Sequence, residues 1–370
     1  MNVLLTNATD IFAGGEDYVL ILGRYLARRG HSVWVSARPG HLLLRKCAEA
    51  SLPVVPVEYG DMARVFALSR VLRRAMRDRS IAIVHSNANY DRTCAAIAAA
   101  FTPARHVAGI HSTHSIRHNI THALRNRYGI AHFITDADAG REVLLREDGI
   151  PPSKVTIVPI GIESDPGDVR EGFRARIRGA MGIDDGTVVI GNVARLVPFK
   201  GHRFLLEAAA LIQRTERGVL FLIAGDGELE AELKAQAAAL GLGDRVRFLG
   251  FRDDLREIYP AFDIYCHSSL ELASEMFPIA ILRALACALP VVSTNVGGIA
   301  AMIDEGVSGY LTPAEDPAAF ARALLALIDD PPKRSALGRA SFALFEQKYQ
   351  ASAMAGNVER VYRHVMEGVQ

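Results

Sequence analysis

Two cationic side chains follow one apolar run in the second half of the chain. The run "TVVIGNVAR" is typical of a buried strand, and it leads directly into "LVPFKGH". Arg195 and Lys200 therefore leave the end of a strand together, across a turn marked by Pro198 and Gly201. Two cations beside a helix N-terminus can neutralise a diphosphate without a metal ion, so this spacing predicts a phosphate site. The alternative is a pair of surface charges.

Two further helix N-termini carry residues that could bind a ligand. Gly14 and Gly15 stand between the first strand and the first helix, where glycine lets the backbone approach an anion. The pattern is not the GxGxxG dinucleotide fingerprint, which argues against an NAD-dependent dehydrogenase. Glu275 precedes the helix "PIAILRALA", so its carboxylate could accept hydrogen bonds from sugar hydroxyls or could cap the helix.

Histidines form a third group of candidates. His111 ends the fourth strand of the first half, and His114, His118 and His122 follow at helical spacing. Three imidazoles on one helix face can hold a metal ion, but more often they form a polar face, which we expect here.

The elements that must position these residues alternate along the whole chain. In the first half, apolar runs separated by helix-length segments indicate the strands "NVLLT", "SVWVSA", "AIVHSN", "HVAGIHS", "HFIT" and "VTIVPIG". The alternation restarts with "TVVIGNVAR", "VLFLIAG", "VRFLG", "DIYCHSS", "PVVST" and "GYLT". This pattern predicts an α/β chain with two doubly wound parallel sheets, whose ligands bind at the carboxyl ends of the strands.

A change in composition suggests the domain boundaries. Residues 160–172, "IGIESDPGDVREG", are rich in Gly, Pro and acidic side chains and are typical of a linker. We therefore predict one domain over 1–165 and another over 166–350, as suits a chain of 370 residues. Residues 351–370 are predicted to form a helix that packs back toward the first domain.

Composition narrows the class of protein. Hydrophobic residues make up 50% of the chain and charged residues 22%, which is ordinary for a globular protein. No apolar run approaches the ~20 residues of a membrane span, and the first strand-like run starts at residue 2, which leaves no room for a signal peptide. The four cysteines show no CxxC spacing, so metal and disulfide roles are not expected. These features predict a cytoplasmic protein.

Positive charge is concentrated in the first half. Residues 1–170 hold 21 of the 42 Lys and Arg but only 16 of the 41 Asp and Glu. Much of the excess lies in a predicted helix over residues 64–80, which contains Arg70, Arg73, Arg74 and Arg77. Such a helix is either a solvated face or a surface for anionic lipid head groups or a phosphorylated acceptor. Nucleic acid is disfavoured as a partner because no aromatic residues interleave with the arginines.

One arginine stands in an otherwise apolar helix. The segment "PIAILRALACALPVV" predicts a helix that starts at Pro278, is buried on most sides and is ended by Pro290. Charged side chains are seldom buried without a partner. Arg283 is therefore expected to face a ligand or a partner charge, or to reach solvent at the helix surface.

Taken together, these segments resemble the retaining nucleotide-sugar glycosyltransferases of family 4, also called glycosyl transferases group 1. That family has two Rossmann-like domains facing a central cleft, the GT-B fold. The resemblance covers nearly the whole chain. In the first half it rests on "GGE" at 14–16, on His111 and on "VPIGIE" at 158–163. In the second half it rests on "GNVARLVPFKGH", "IAGDGE", "VRFLGF", "SSLELASEMFPIAILRALACALPVVST" and "NVGGIAAMIDEGVSGYL".

The resemblance implies which residues bind the donor diphosphate. Arg195 and Lys200 match the cationic pair that binds it, and Gly15 matches the glycine whose backbone approaches it from the other domain. Gly225, in "IAGDGE", falls in the region that holds the nucleoside. No cofactor and no metal are expected, because the cations and the helix N-termini stabilise the leaving diphosphate.

The resemblance also implies which residues meet the sugar. Glu275 matches the first glutamate of the family's E-x7-E motif, which contacts the donor sugar, with Met276 and Phe277 in the adjoining loop. His111 matches the histidine near the reacting sugar. Glu275 and His111 are therefore the expected catalytic residues.

Four positions depart from the family pattern. Arg283 stands where the second glutamate of E-x7-E grips the ribose, so Arg283 is expected to face the ribose or whatever replaces it. Ala301 replaces the glutamate after "GGIP", Ala288 replaces the glycine before "LP", and Ile160 replaces the asparagine of "IPNG".

The expected activity is transfer of a sugar from a nucleotide-diphosphate donor to a saccharide or lipid-linked acceptor, with retention of anomeric configuration. The expected setting is synthesis of a cell-surface polysaccharide or lipopolysaccharide, with peripheral contact to the inner face of the membrane through residues 64–80. One alternative is a non-catalytic protein of the same fold, which Arg283 and Ala301 favour. Another is a sugar-nucleotide epimerase, although "ARLVPFKG" and "EMFP" favour the transferase.

Overall fold

The computed structural model describes residues 1–9, 14–60, 62–213, 218–271 and 275–368. The chain divides into two units. Unit 1 comprises Met1–Ile162 together with Tyr349–Gln370, and unit 2 comprises Glu163–Lys348. Within the described ranges, no helix combines the length and the hydropathy needed to cross a bilayer.

The sheet of unit 1 has seven parallel strands in the order β3-β2-β1-β4-β5-β6-β7. Their bounds are β1 Asn2–Thr6, β2 Ser32–Ala37, β3 Val54–Pro56, β4 Ile83–Ser86, β5 Arg105–Ile110, β6 His132–Thr135 and β7 Val155–Ile157. Six of these strands coincide with the predicted apolar runs. The strand β3 was not predicted, because three residues ending in proline are too short for a periodic signal.

Helices connect these strands and cover the sheet. They are α1 Gly14–Arg28, α2 Leu42–Glu49, α3 Val65–Asp78, α4 Asn89–Ala99, α5 Ile120–Tyr128 and α6 Asp138–Arg146. The helix α3 buries Leu68, Leu72 and Met76, which recur at helical spacing, in one cluster with Leu4 of β1 and Val84 of β4. The polar side of α3 is thereby left at the surface, which explains why its arginines do not disturb the core.

The sheet of unit 2 has six parallel strands in the order β10-β9-β8-β11-β12-β13. Their bounds are β8 Val188–Val193, β9 Val219–Ala224, β10 Val246–Gly250, β11 Ile264–His267, β12 Val291–Thr294 and β13 Gly309–Thr312. The helices are α7 Gly167–Met181, α8 His202–Gln213, α9 Glu230–Ala239, α10 Leu255–Ile258, α11 Ile279–Ala286, α12 Pro317–Ile328 and α13 Pro331–Lys348. All six predicted strands are present. The predicted fold class, two Rossmann-like parallel-sheet domains, is therefore confirmed.

The predicted linker over 160–172 is wrong in its second half, because α7 begins at Gly167. Tertiary contacts stabilise this helix. Arg174 and Arg178 each form an ion pair with Asp263, at 2.6 Å and 2.5 Å respectively. Arg170 donates a hydrogen bond to the carbonyl of Ala286, at 2.7 Å. These partners lie far away in sequence, so the local composition did not reveal the helix.

The last helix, α14 Ala351–Glu367, belongs to unit 1. The chain returns to this unit through two backbone hydrogen bonds that join Ile162 to Tyr349 and to Ala351, at 2.9 Å and 3.0 Å. The helix then packs on α1, where Arg29 and Glu359 form an ion pair at 2.6 Å. It also contributes Tyr362, whose hydroxyl lies 2.7 Å from Nδ1 of the buried His85.

Candidate active site

The two cations predicted to bind phosphate lie at the carboxyl end of β8. Arg195 is exposed and Lys200 is half-buried. Both lie beside the ring of Phe199, with Arg195 Cζ 5.7 Å and Lys200 Nζ 5.8 Å from its centroid. The turn ends at Gly201 with φ +67°, and a Cβ there would lie 2.0 Å from the carbonyl oxygen of Ser268. Only glycine fits this turn, which packs the cationic loop against the end of β11.

The carboxylate of Glu275 lies within this group. Its Oε1 forms an ion pair with Nζ of Lys200 and accepts a hydrogen bond from the Ser269 hydroxyl at 2.7 Å. His267 Nε2 lies 3.2 Å from the same oxygen. Burial alone would raise the pKa of Glu275, but the hydrogen bond and charge of His267, together with Lys200, hold it well below its usual range. These three contacts all fall on Oε1 of Glu275.

Gly297 and Gly298 contact the backbone of the loop that carries Glu275. Gly298 N donates to the carbonyl of Glu275 at 2.7 Å. Gly297 has φ +57°, and a Cβ there would lie 2.0 Å from the same carbonyl oxygen. The side chains of Met276 and Phe277 are 2% and 8% exposed. They therefore pack into the fold, and the loop offers a ligand its backbone and Glu275.

Gly225 supports the cationic loop. Its φ is +143°, and a Cβ there would lie 2.0 Å from the carbonyl oxygen of Ala194. Beside it, Leu196 N donates to the carbonyl of Asp226 at 2.7 Å. Glycine is thus required where the loop after β9 crosses the loop that carries Arg195. Contact of Gly225 with a nucleoside stays a prediction.

Arg283 lies half-buried in the middle of α11. It is four residues before Cys287 and so shares one side of the helix with it. Burial raises the pKa of the Cys287 thiol to about 12, and the charges of Arg170 and Arg283 act against that rise. The contact of Arg283 with a ribose stays a prediction.

In unit 1, His111 follows β5 and has partners from two neighbouring strands. Its Nδ1 lies 2.8 Å from Oδ2 of Asp136, the first residue after β6. Its Nε2 lies 3.3 Å from Oδ1 of Asn87, the first residue after β4. The ring of Tyr18, from α1, packs on His111 at a centroid distance of 4.5 Å.

Sequence reasoning missed these partners and those of Glu275. The available signal was that "HSN", "TD" and "HSS" each end a predicted strand with polar residues, at the edge where ligands bind.

Gly15 lies in the first turn of α1, one turn before Tyr18. A Cβ at Gly15 would have no described atom within 4 Å, so packing does not require glycine at this position. The next residue, Glu16, is 2% exposed and accepts hydrogen bonds from Asn7 and Thr9. The open space beside Gly15 is compatible with close approach of a ligand to the backbone, which stays a prediction.

The predicted helix face of histidines is wrong, because α5 begins at Ile120 and leaves His114 and His118 outside the helix. The rings of His118 and His122 lie 5.5 Å apart in an edge-on arrangement. Among the residues that the structure describes, no three His, Cys, Asp or Glu side chains are grouped so as to hold a metal ion.

Comparison with known families identifies both units. The model of "Glycosyltransferase Family 4" matches residues 12–165. The model of "Glycosyl transferases group 1" matches residues 173–343. The gap between the two matches, residues 166–172, lies just after the boundary between the units at Ile162 and Glu163.

Characterised relatives share about a third of their residues with the matched stretch. The chain is 31% identical over 240 residues to the D-inositol 3-phosphate glycosyltransferase of Segniliparus rotundus, a match that covers 63% of this chain and 52% of that protein. It is 34% identical over 184 residues to the amylovoran biosynthesis glycosyltransferase AmsK of Erwinia amylovora, covering 48% of this chain and 43% of that protein. The matched stretch thus spans about half the length of these relatives.

Solved structures share the whole fold. Anabaena Alr3699/HepE, crystallised in complex with UDP-glucose, superposes with a TM-score of 0.84 and 22% sequence identity. The superposition covers 98% of this chain and 100% of that one. Because the two family models together match most of the chain, it belongs to the family 4, group 1 glycosyltransferases.

Proposed function

We propose that the protein transfers a sugar from a nucleoside-diphosphate donor to a saccharide or lipid-linked acceptor, with retention of anomeric configuration. One observation carries the proposal: Arg195, Lys200 and Glu275 lie together at the carboxyl edge of the unit 2 sheet. Two cations suit a diphosphate, and an adjacent ionised carboxylate suits the hydroxyls of the attached sugar.

In this reaction the bond between the anomeric carbon and the diphosphate breaks, and the diphosphate leaves with the bonding electrons. The acceptor hydroxyl oxygen forms the new bond on the same face of the sugar and gives its proton to the departing diphosphate oxygen. Negative charge develops on the leaving diphosphate, where Arg195 and Lys200 would stabilise it. Lys200 is also paired with Glu275, so binding of a diphosphate exchanges or shares that partner.

The proposal extends to residues whose roles the resemblance implies. Gly15 would let its backbone approach the diphosphate, and His111 would contact the reacting sugar. Gly225 and Arg283 would lie near the nucleoside and its ribose.

We further propose that the reaction needs no divalent metal, because protein cations neutralise the diphosphate. Turnover should then survive EDTA, and a strict requirement for magnesium or manganese would contradict this.

The names of the relatives support the proposed setting. HepE was crystallised with UDP-glucose, which is a nucleoside-diphosphate sugar. AmsK is named for biosynthesis of amylovoran, and the Segniliparus relative for a phosphorylated inositol. We therefore propose a cell-surface polysaccharide or lipopolysaccharide precursor as the acceptor class.

A thermal-shift screen with UDP-, GDP-, ADP- and dTDP-sugars tests the donor class. A ligand at 100 times its Kd stabilises the folded state by about 2.7 kcal/mol, so a true donor should raise Tm by several degrees. The shift should become clearly smaller in Arg195→Ala at the same ligand concentration. If no nucleotide sugar raises Tm, the donor proposal is wrong.

Transfer is tested separately from binding. The donor found in the screen is incubated with acceptor saccharides, and NMR of the product compares its anomeric configuration with that of the donor. An inverted product would contradict retention. Binding without transfer to any acceptor or to water would favour the non-catalytic alternative.

We also propose that α3 contacts an anionic membrane surface. Arg70, Arg74 and Arg77 are exposed on this helix, and Phe66 is 67% exposed beside them. Phe101, at 60% exposure, lies next to α3, since Arg77 donates to its carbonyl at 3.0 Å. Arginines with interspersed exposed apolar side chains are the composition that binds anionic lipid surfaces.

Vesicle flotation tests this surface. The protein should float with vesicles that contain phosphatidylglycerol and not with pure phosphatidylcholine. Arg74→Glu should weaken flotation several-fold, since each basic residue contributes about 1 kcal/mol near such a surface. Arg45→Glu is a matched control, because Arg45 and Arg74 are both exposed and both form i,i+4 ion pairs, at 3.7 Å and 3.6 Å. Equal effects of the two variants would contradict the assignment to α3.

A further inference from the structure

Both ring nitrogens of His111 face hydrogen-bond acceptors. Nδ1 lies 2.8 Å and 3.1 Å from the two carboxylate oxygens of Asp136. Nε2 lies 3.3 Å from Oδ1 of Asn87. A neutral imidazole carries one N–H and can donate on one side only, so the protonation of this ring follows from its partners.

The orientation of the Asn87 amide is settled by its other contacts. Its Nδ2 donates to the carbonyl of Thr6 at 3.0 Å and to the carbonyl of His85 at 3.3 Å. Backbone carbonyls only accept, so a flipped amide would place its oxygen against two other acceptors. The amide oxygen therefore faces His111, and Nε2 must carry the proton of that hydrogen bond.

Asp136 allows a hydrogen bond at Nδ1 while Nε2 keeps its proton. The Asp136 side chain is buried, and burial raises its pKa while His111 acts against the rise. With one proton only, on Nδ1, the bare Nε2 would face the amide oxygen of Asn87 as a second acceptor at 3.3 Å, which is unfavourable. With two protons, the pair has two arrangements. Either His111 has both and Asp136 is charged, or Asp136 keeps one and Nε2 has the other. Both arrangements place a proton on Nε2.

The other titratable groups packed on His111 are uncharged at neutral pH. Burial raises the pKa of Tyr18 well above its usual value, with Asp136 adding to the rise. Burial lowers the pKa of His85 to about 3, with His111 and His106 adding to the fall. Among the described neighbours, Asp136 is therefore the group that shares a proton with His111.

Strand β5 has a glycine, Gly109, at the point where these polar side chains meet. A Cβ at Gly109 would lie 2.8 Å from Asn87 Oδ1, 2.9 Å from His111 Nε2 and 3.0 Å from His85 Nε2. These polar atoms occupy the space that a side chain would take. Glycine at this position is what lets the three side chains meet.

We propose that Asn87 and Asp136 are positioning residues for His111: Asn87 fixes a proton on Nε2, and Asp136 orients the ring through Nδ1. His111 then meets a ligand as a hydrogen-bond donor. The part of this proposal that concerns the substrate rests on the proposed function. When a ligand binds, the single Nε2–H would exchange Asn87 Oδ1 for an oxygen of the sugar or of the leaving diphosphate, or be shared between the two acceptors. A protonated Nε2 cannot take the proton of the acceptor hydroxyl.

Imidazole ¹⁵N–¹H NMR of the ligand-free protein tests the proposal. The signals of His111 are assigned by their loss in His111→Gln. At pH 7, Nε2 should have the ¹⁵N shift of a protonated nitrogen. An unprotonated Nε2 would overturn the proposal. Because no ligand is present, the result does not depend on whether the protein binds a nucleotide sugar.

Two variants separate the roles. Asn87→Leu removes the acceptor, so the Nε2 proton should be lost in favour of Nδ1–H bonded to Asp136. Asp136→Asn should keep the Nε2 proton, because Asn87 still accepts it, while the Nδ1 resonance moves. Asp138→Asn, at an exposed position two residues away, should change neither. Loss of the Nε2 proton in Asp136→Asn would reverse the assignment. If Asn87→Leu does not fold, the wild-type and Asp136→Asn spectra still decide.

Discussion

At the scale of single residues, the structure separates two cations that the sequence presented as equals. Arg195 is exposed, and the described residues give it no ion pair, whereas Lys200 is paired with the half-buried Glu275. Loss of the Arg195 charge should therefore affect the binding of a ligand more than the stability of the fold. Lys200 serves the ligand-free fold as well, so its loss should affect both binding and stability.

We expect Arg195→Ala and Lys200→Met to have different effects on stability and similar effects on ligand binding. Arg195→Ala should change the free energy of unfolding by less than about 0.5 kcal/mol, as for most surface substitutions. Lys200→Met leaves Glu275 with one fewer donor and should destabilise by about 1–3 kcal/mol. Each should weaken UDP binding by about 1.5–3 kcal/mol and leave uridine binding unchanged. Denaturant unfolding and calorimetric titration measure these quantities. Equal losses for UDP and uridine would remove the phosphate assignment.

The low pKa of Glu275 predicts a pH dependence of stability. A carboxyl whose folded-state pKa is depressed contributes stability that is fully present above its unfolded value of 4.5 and is lost as pH falls toward the folded value. The stability difference between wild type and Glu275→Gln should thus shrink as the pH falls below 4.5. Glu271→Gln, at an exposed position nearby, is the control. A difference that grows on acidification would contradict the assigned partners.

Gly15 offers a test of a residue that the fold itself does not require. Gly15→Ala meets open space and favours helix, so stability should stay equal or rise by up to about 1 kcal/mol. Binding of UDP should nevertheless weaken if a diphosphate approaches this backbone. Gly172→Ala, in α7 and equally open, should stabilise without affecting UDP. Unchanged UDP affinity in Gly15→Ala would show that no ligand comes close.

At the scale of elements, the end of α11 shows where the chain departs from its family. Ala288 has φ +56°, which is the left-handed region, and it stands where the family has glycine. An L-residue there costs about 1–2 kcal/mol, and part of that is offset because alanine restricts the unfolded chain. The helix must still turn here, because Pro290 and β12 follow at once.

Ala288→Gly should therefore raise the free energy of unfolding by about 0.5–1 kcal/mol. Ala286→Gly, two residues earlier within α11, should lower it by about 1 kcal/mol. Thermal or denaturant unfolding distinguishes the two. If both changes destabilise, the backbone at Ala288 is not strained.

The elements themselves were largely predictable, and the contacts between them were not. Twelve of the strands coincide with apolar runs, because buried parallel strands carry a local signal. The cationic pair and Glu275 could be placed at strand and helix ends for the same reason. That Lys200 meets Glu275, 75 residues away, depends on β8 and β11 being neighbours in the sheet. The Asp136–His111–Asn87 contacts likewise depend on the order of β4, β5 and β6, which no local pattern encodes.

At the scale of the whole molecule, the chain order and the folding units do not coincide. Unit 2 is one continuous segment, whereas unit 1 is completed by α14, almost two hundred residues after Ile162. Met354, Ala355, Val358 and Tyr362 of α14 are fully or almost fully buried. Tyr362 also supplies the described hydrogen bond of the His85 side chain, which lies beside His111. The C-terminal helix is thus part of the core that supports the site in unit 1.

We expect the fragment 163–348 to fold alone and the fragment 1–162 to fail without α14. Burial of a large apolar side chain contributes about 1.5–3 kcal/mol, so loss of Met354, Val358 and Tyr362 removes an amount comparable to the 5–15 kcal/mol stability of a whole domain. Circular dichroism and denaturant unfolding of each fragment measure this. A peptide of residues 349–368 added to fragment 1–162 should restore cooperative unfolding, and the same peptide with Tyr362→Asp should not. A cooperatively folded fragment 1–162 without any peptide would show that α14 is an accessory to unit 1 and not part of its core.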